Sequence, residues 1–205
     1  MKRMILMAFS AVLLAAPISA QLEPSRRATR TILTDDDDGK VEVWRRGDAV
    51  AEKVGDSSIR QPLLQVIFAG SGWQQSVKDR AMDGLMRVTM PDGVRPAAIV
   101  GSRDLPASVA LNDLGIQSIL DRAMRDGSLS MRDANVIHIV LLAPNVRSTL
   151  GAFKPGTDYD SYHSHVHMHD TNVRYVVVPW NDDAAGLREA AAKSMLRAVL
   201  NPDGD

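Results

Sequence analysis

Asp113-Leu114-Gly115-Ile116-Gln117-Ser118-Ile119-Leu120-Asp121-Arg122-Ala123-Met124-Arg125, followed shortly by Val136-Ile137-His138-Ile139-Val140-Leu141-Leu142, decides the fold class. In the first segment Ile116, Ile119, Leu120, Ala123 and Met124 recur at helical spacing, and Gly127 supplies a stop. The second is a continuous apolar run of strand length, the pattern of a strand covered on both faces. Working outward, the same alternation repeats. Leu63 to Ala69 is another buried strand, and Gln74 to Val88 a helix with Val77, Ala81, Leu85 and Val88 on one face. Ala97–Val100 and Arg174–Val178 read as strands, the latter ended by Pro179. Leu187 to Val199 is a helix facing inward with Leu187, Ala190, Ala191, Met195, Ala198 and Val199. Val41-Glu42-Val43-Trp44 alternates as a short strand. Strands alternating with helices predict an α/β fold with a single mixed sheet and covering helices.

The ends of the chain carry different signals. Lys2 and Arg3 precede the apolar run Met4–Ala16, and Pro17-Ile18-Ser19-Ala20 offers a cleavage site, so residues 1–20 read as a signal peptide. A membrane helix needs about 20 apolar residues, more than this run provides. The expected location is therefore secreted or periplasmic, with no membrane span after cleavage. Residues 21–40 are polar, with Asp35-Asp36-Asp37-Asp38-Gly39 closing them, and read as a mobile arm. Residues 41–205 form the single α/β domain.

Composition excludes several functions. The 205 residues hold 24 Lys+Arg against 25 Asp+Glu, a formal charge of −1 that becomes −3 once Lys2 and Arg3 leave with the signal. That balance argues against a nucleic-acid partner, which needs a basic face to displace counterions. No cysteine is present, so disulfide scaffolds, thiolate zinc sites, iron–sulfur clusters and a Cys nucleophile are ruled out. Aromatic residues make up only 4%, too few for a stacking platform.

Three motifs fail on their spacing. With Gly39 at position 6 of a calcium loop, Arg45 falls where a bidentate Glu is required. Gly70-Ser71-Gly72 follows a strand as a dinucleotide loop does, but Gln75 replaces the third glycine and Trp73 would crowd a pyrophosphate. A glycine turn that lets Trp73 pack fits better. No serine sits in a G-x-S-x-G elbow.

One chemical feature stands out. Tyr162-His163-Ser164-His165-Val166-His167-Met168-His169-Asp170 holds four of the five histidines. Strict alternation on a strand would place all four imidazoles on one face, neighbours about 6.6 Å apart. Adjacent rings could then share one Zn²⁺, Cu²⁺ or Ni²⁺, with Asp160 or Asp170 as an oxygen ligand. A solvent-facing hairpin strand whose imidazoles bind nothing is the plainer reading of the run. His138, in a buried strand, reads as a hydrogen-bonded core residue.

Leu111-Asn112-Asp113-Leu114-Gly115-Ile116-Gln117-Ser118-Ile119-Leu120, then Gly127-Ser128-Leu129 and Val136 to Leu141, resembles a stretch of the phosphate-induced protein 1 family, the secreted EXORDIUM-like proteins with bacterial relatives. Gly156 to His163 and Tyr175-Val176-Val177-Val178-Pro179-Trp180 are similar to the bacterial branch's GYH and YAVxPY segments, and Leu64 to Trp73 takes the place of an early strand. The resemblance spans about residues 62–205, in patches. It implies a zincin-like scaffold whose last helix carries S-H-E-L-x-E-x-x-T-D-P, two zinc ligands and a general base. Aligning Asn201-Pro202 with the family's Asp-Pro puts Lys193 on the His, Ser194 on the following Glu and Arg197 on the second Glu. The resemblance thus implies a scaffold with its zinc motif lost, and two cations, four residues apart, at the metal's place. Relatives' cysteines near GYH are absent too, and relatives continue beyond the equivalent of Asp205. The expected protein is an exported, non-catalytic, degenerate metallopeptidase-like domain with a binding or structural role. The alternative is a transition-metal protein or metallohydrolase using the histidine ladder.

Overall fold

Strand β3 (Leu63–Ala69) is apolar at six of its seven positions and buried beyond its first residue, which requires cover on both faces and partners on both edges. The computed structural model describes residues 30–33, 40–46, 48, 54, 56–129, 133–180 and 183–202 and supplies both. β3 pairs in parallel with β4 (Ala98–Leu105) on one side and with β6 (Val136–Leu142) on the other. β6 pairs in parallel with β9 (Thr171–Val178), and β9 antiparallel with β8 (Ser161–Met168). Beyond β8 lie β2 (Lys40–Trp44) and β1 (Arg30–Leu33), each antiparallel to its neighbour. The seven-stranded order is β1-β2-β8-β9-β6-β3-β4, and β5 (Ala110–Leu111) and β7 (Arg147–Ser148) make a separate two-stranded ladder.

Alternation along the strands sorts their side chains into two cores. Leu64, Val66 and Phe68 of β3 and Ile137, Ile139 and Leu141 of β6 meet α1 (Gln75–Met86) and α3 (Ala184–Leu200) on one face. Ile67, Ala69, Val140 and Leu142 meet α2 (Asp113–Arg125) on the other. The crossover from β3 through α1 to β4 and that from β4 through α2 to β6 run in opposite directions on opposite faces. One handedness of crossover requires this arrangement. The sheet's topological switch point therefore lies between the carboxyl ends of β3 and β6.

The mixed sheet with covering helices agrees with the sequence reading, and β3, α2 and β6 have the expected limits. Asn112 caps α2 by accepting from Gly115 N at 2.9 Å, and Asp183 caps α3 from its side chain. Gly127 ends α2's cap with φ 78°, a left-handed conformation that favours glycine. Two expectations change. Part of the segment read as a mobile arm, Arg30–Leu33, is strand β1 paired to β2. β4 is longer than Ala97–Val100, because parallel pairing with β3 holds its polar second half, Gly101 to Leu105, in the sheet. The segment read as a signal peptide, residues 1–20, and the acidic stretch Asp35–Asp38 read as a turn lie outside the described residues. Among the described residues no helix is long and apolar enough to cross a membrane.

Candidate functional site

The last helix carries the positions that the family resemblance singled out. Lys193 is exposed, whereas Ser194 and Arg197 are buried. Ser194 Oγ lies 2.6 Å from Ser161 Oγ on β8, closing the helix onto the sheet. The Arg197 guanidinium reaches past β8 to β2, where Nη1 donates to the Val43 carbonyl at 3.0 Å. The two cations expected to share the metal's place are therefore separated, one in solvent and one under the sheet.

What receives Arg197 is a buried carboxylate. Alternation on β2 sends Val41 and Val43 to the α2 face and Glu42 with Trp44 to the α3 face. Glu42 is only 4% exposed. Its Oε1 accepts from Asn201 Nδ2 at 3.0 Å, and its Oε2 lies 4.0 Å from Arg197 Nη2 and 3.3 Å from His163 Nε2. Burial raises the Glu42 carboxyl above its ordinary range, while Arg197 and the Asn201 amide pull it back. At 4 Å and an effective dielectric of 20 the ion pair is worth about 4 kcal/mol, enough to offset much of the carboxylate's desolvation. His163 Nε2 donates to the Asn201 carbonyl at 3.0 Å, which fixes the proton on that nitrogen. Burial dominates its titration and pushes it down to about 4, so the ring is neutral at pH 7. The cluster of Glu42, His163, Arg197 and Asn201 is sealed, and it ties β2, β8 and the end of α3 together.

The other histidines go elsewhere. His165 is half-buried opposite Arg174 in the β8–β9 register. His167 Nδ1 lies 3.0 Å from Asn172 Oδ1 across the hairpin. His169 leaves the strand altogether: with Asp170 it forms the hairpin turn, at φ 49° and 58°. Two consecutive left-handed residues are the signature of a type I′ turn, which matches strand twist. The turn swings His169 to α2, where Nε2 sits 2.8 Å from Asp121 Oδ1. The expected one-faced ladder of His163, His165, His167 and His169 is thus broken at its last member. Asp160 is likewise engaged elsewhere, its Oδ2 accepting from Arg46 N at 2.6 Å. Among the described residues no group of three or more His, Cys, Asp or Glu side chains could hold a metal ion. His138 is a core histidine as expected, but its Nδ1 is buried without a hydrogen-bond partner, and desolvation pushes it down to about 4.

The second feature lies at the switch point, where open α/β sheets bind their ligands. Gly70 and Gly72 turn the chain out of β3 at φ 99° and 82°; at Gly70 a Cβ would meet Val146 Cγ2 at 2.6 Å. Trp73 then folds back, its ring 5.2 Å from Phe68 and 5.8 Å from Trp180, edge-on to both. This is the packing role expected of the glycine turn. Trp180 leaves β9 just before α3 begins, so the two indoles arrive from strands on either side of β6. They border a crevice of about 240 Å³, with Val77, Pro144, Gln74 and Asp183 completing its walls. Local pattern marks Trp73 at the glycine turn, but nothing local marks Trp180 as its partner. Glu42 was missed because strand alternation alone does not distinguish a buried acid from a solvated one.

No protein-family model matches the chain, and no curated protein is significantly similar to it.

Proposed function

We propose that this chain is an exported, non-catalytic binding domain built on a degenerate metallopeptidase-like scaffold. The reading is carried by one observation: at the helix positions that match the family's zinc motif, Ser194 and Arg197 are committed to Ser161, Val43 and Glu42. A guanidinium in that cluster supplies positive charge where a peptidase places its dication. The carboxylate beside it, Glu42, is buried and holds Asn201 through Oε1, and a base that activates water for a peptidase must meet solvent and substrate. A binding role is favoured over a purely structural one by the crevice at the carboxyl ends of β3, β6 and β9.

The test is a peptidase assay on the purified chain with casein and a library of quenched fluorescent peptides, with and without added Zn²⁺. The expected result is hydrolysis no faster than the buffer blank in both conditions. Proteolysis abolished by a chelator and restored by Zn²⁺ overturns the proposal. Export is checked separately, by N-terminal sequencing of protein recovered from a bacterial periplasm, which should begin at Gln21.

A further inference from the structure

The crevice at the switch point has a composition that selects among ligands. Its two largest walls are the indoles of Trp73 and Trp180, whose planes meet at 71°. Val77 and Pro144 make the remaining apolar surface. Among the described residues that line it, Asp183 is the only one with an ionisable side chain, and no Lys or Arg reaches it. Asp183 is exposed and spends one oxygen, Oδ1, on Gly186 N at the start of α3. Its Oδ2 stands outside that bond.

Aromatic faces at near right angles carry the negative side of the ring quadrupole into the corner between them, and a carboxylate at the rim adds to it. Tryptophan is the strongest of the aromatic residues in this interaction. A compact cation with an apolar surface satisfies both walls at once; an anion would face two π-faces and a carboxylate. Opposing this are two helix amino termini, that of α1 at Gln74, which provides no side-chain cap, and that of α3 at Asp183 and Ala184, where each helix dipole favours negative charge. The two dipoles amount to about half a charge each and are screened by solvent, so the full charge of Asp183 balances them and the indole walls set the preference for a cation. The volume of about 240 Å³ admits a trimethylammonium group with a short tail and excludes a large polycyclic ligand.

We propose that the crevice between Trp73 and Trp180 binds a small methylated ammonium group, held by the two indole walls and the Asp183 carboxylate. The inference rests on the reading of this chain as a binding domain and is independent of the lost zinc motif. A peptidase result could overturn that reading and leave this site untouched.

The experiment is isothermal calorimetry, supported by tryptophan fluorescence, on the full chain with three probes of matched shape. These are choline, its neutral isostere 3,3-dimethylbutan-1-ol, and the anion 3,3-dimethylbutanoate. Choline should bind saturably with a Kd on the order of 1 mM or tighter, roughly tenfold tighter than the alcohol, with the anion weaker still. Trp180→Leu should lose choline affinity roughly tenfold, while Trp180→Phe keeps part of it. Asp183→Asn retains a residue that caps helices well and should weaken choline about threefold or more without changing the alcohol. Circular dichroism checks that each variant folds, and Trp180→Phe and Asp183→Asn decide the matter if Trp180→Leu does not. The proposal is overturned if the alcohol binds within about threefold of choline, if the anion binds best, or if no saturable binding occurs below about 50 mM.

Discussion

The two ends of α3 use polar groups in opposite ways. At its carboxyl end Ser194, Arg197 and Asn201 turn inward, and each is bonded to a partner on β8 or β2. At its amino end Asp183 stands at the rim of an open crevice with one carboxylate oxygen outside the helix cap. A sealed cluster specifies how parts of the chain dock; an unsealed one has valence left for something else. The region that family resemblance marks as chemical is therefore the structural one here, and the open crevice lies at the other end of the same helix.

Breaking the sealed end should give the largest effect. Arg197→Ala leaves the Glu42 carboxylate buried beside no cation and should cost about 3–5 kcal/mol of unfolding free energy in a urea titration. A loss below about 1 kcal/mol would show that the cluster is hydrated and open.

Acidification attacks the same end more gradually. The folded pKa values of His163 and His138 lie near 4, below the ordinary 6.5, so between those values the unfolded chain binds protons that the folded chain refuses. Their contribution to stability is complete above pH 6.5 and is lost as pH falls toward 4, at up to about 1.4 kcal/mol per pH unit for each ring. Glu42, whose pKa is raised, acts in the opposite sense and gains as pH falls, which partly offsets the loss. The midpoint temperature should therefore drop between pH 7.5 and 5, and His163→Gln should flatten that dependence. A profile unchanged in the variant would detach His163 from the effect.

The smallest effect belongs to the open end. Asp183→Asn should change stability by no more than about 0.5 kcal/mol, because both residues cap helices well. A much larger loss would make Asp183 a structural residue too and erase the contrast between the two ends.

Much of this architecture is written in local pattern. The apolar runs of β3 and β6 and the stripe of α2 are legible because burial imposes their period. β1 is not, because Arg30-Thr31-Ile32-Leu33 is strand only by virtue of pairing with β2. β9 begins before its apolar run, at Thr171, because hairpin pairing with Met168 holds polar residues in register. The histidine run illustrates the same limit. Alternation correctly puts β8 in a strand, but the turn at His169-Asp170 lacks the Asn-Gly or Asp-Gly signal that would have ended the ladder there. Glu42 and Arg197 lie at opposite ends of the chain, so nothing local announces that they meet. The crevice depends on strand order, which brings Trp73 and Trp180 to the same edge although each reads alone as a single packed aromatic.

The most direct test of the sealed cluster is a double-mutant cycle on Glu42→Leu and Arg197→Met, followed by urea unfolding. If these residues serve as a structural lock, each single variant strands a buried charge and is costly. The double variant then recovers most of the loss, with a coupling of at least about 1.5 kcal/mol. Single losses that simply add in the double variant would contradict the account, because Arg197 would then be free of Glu42 and available for other work.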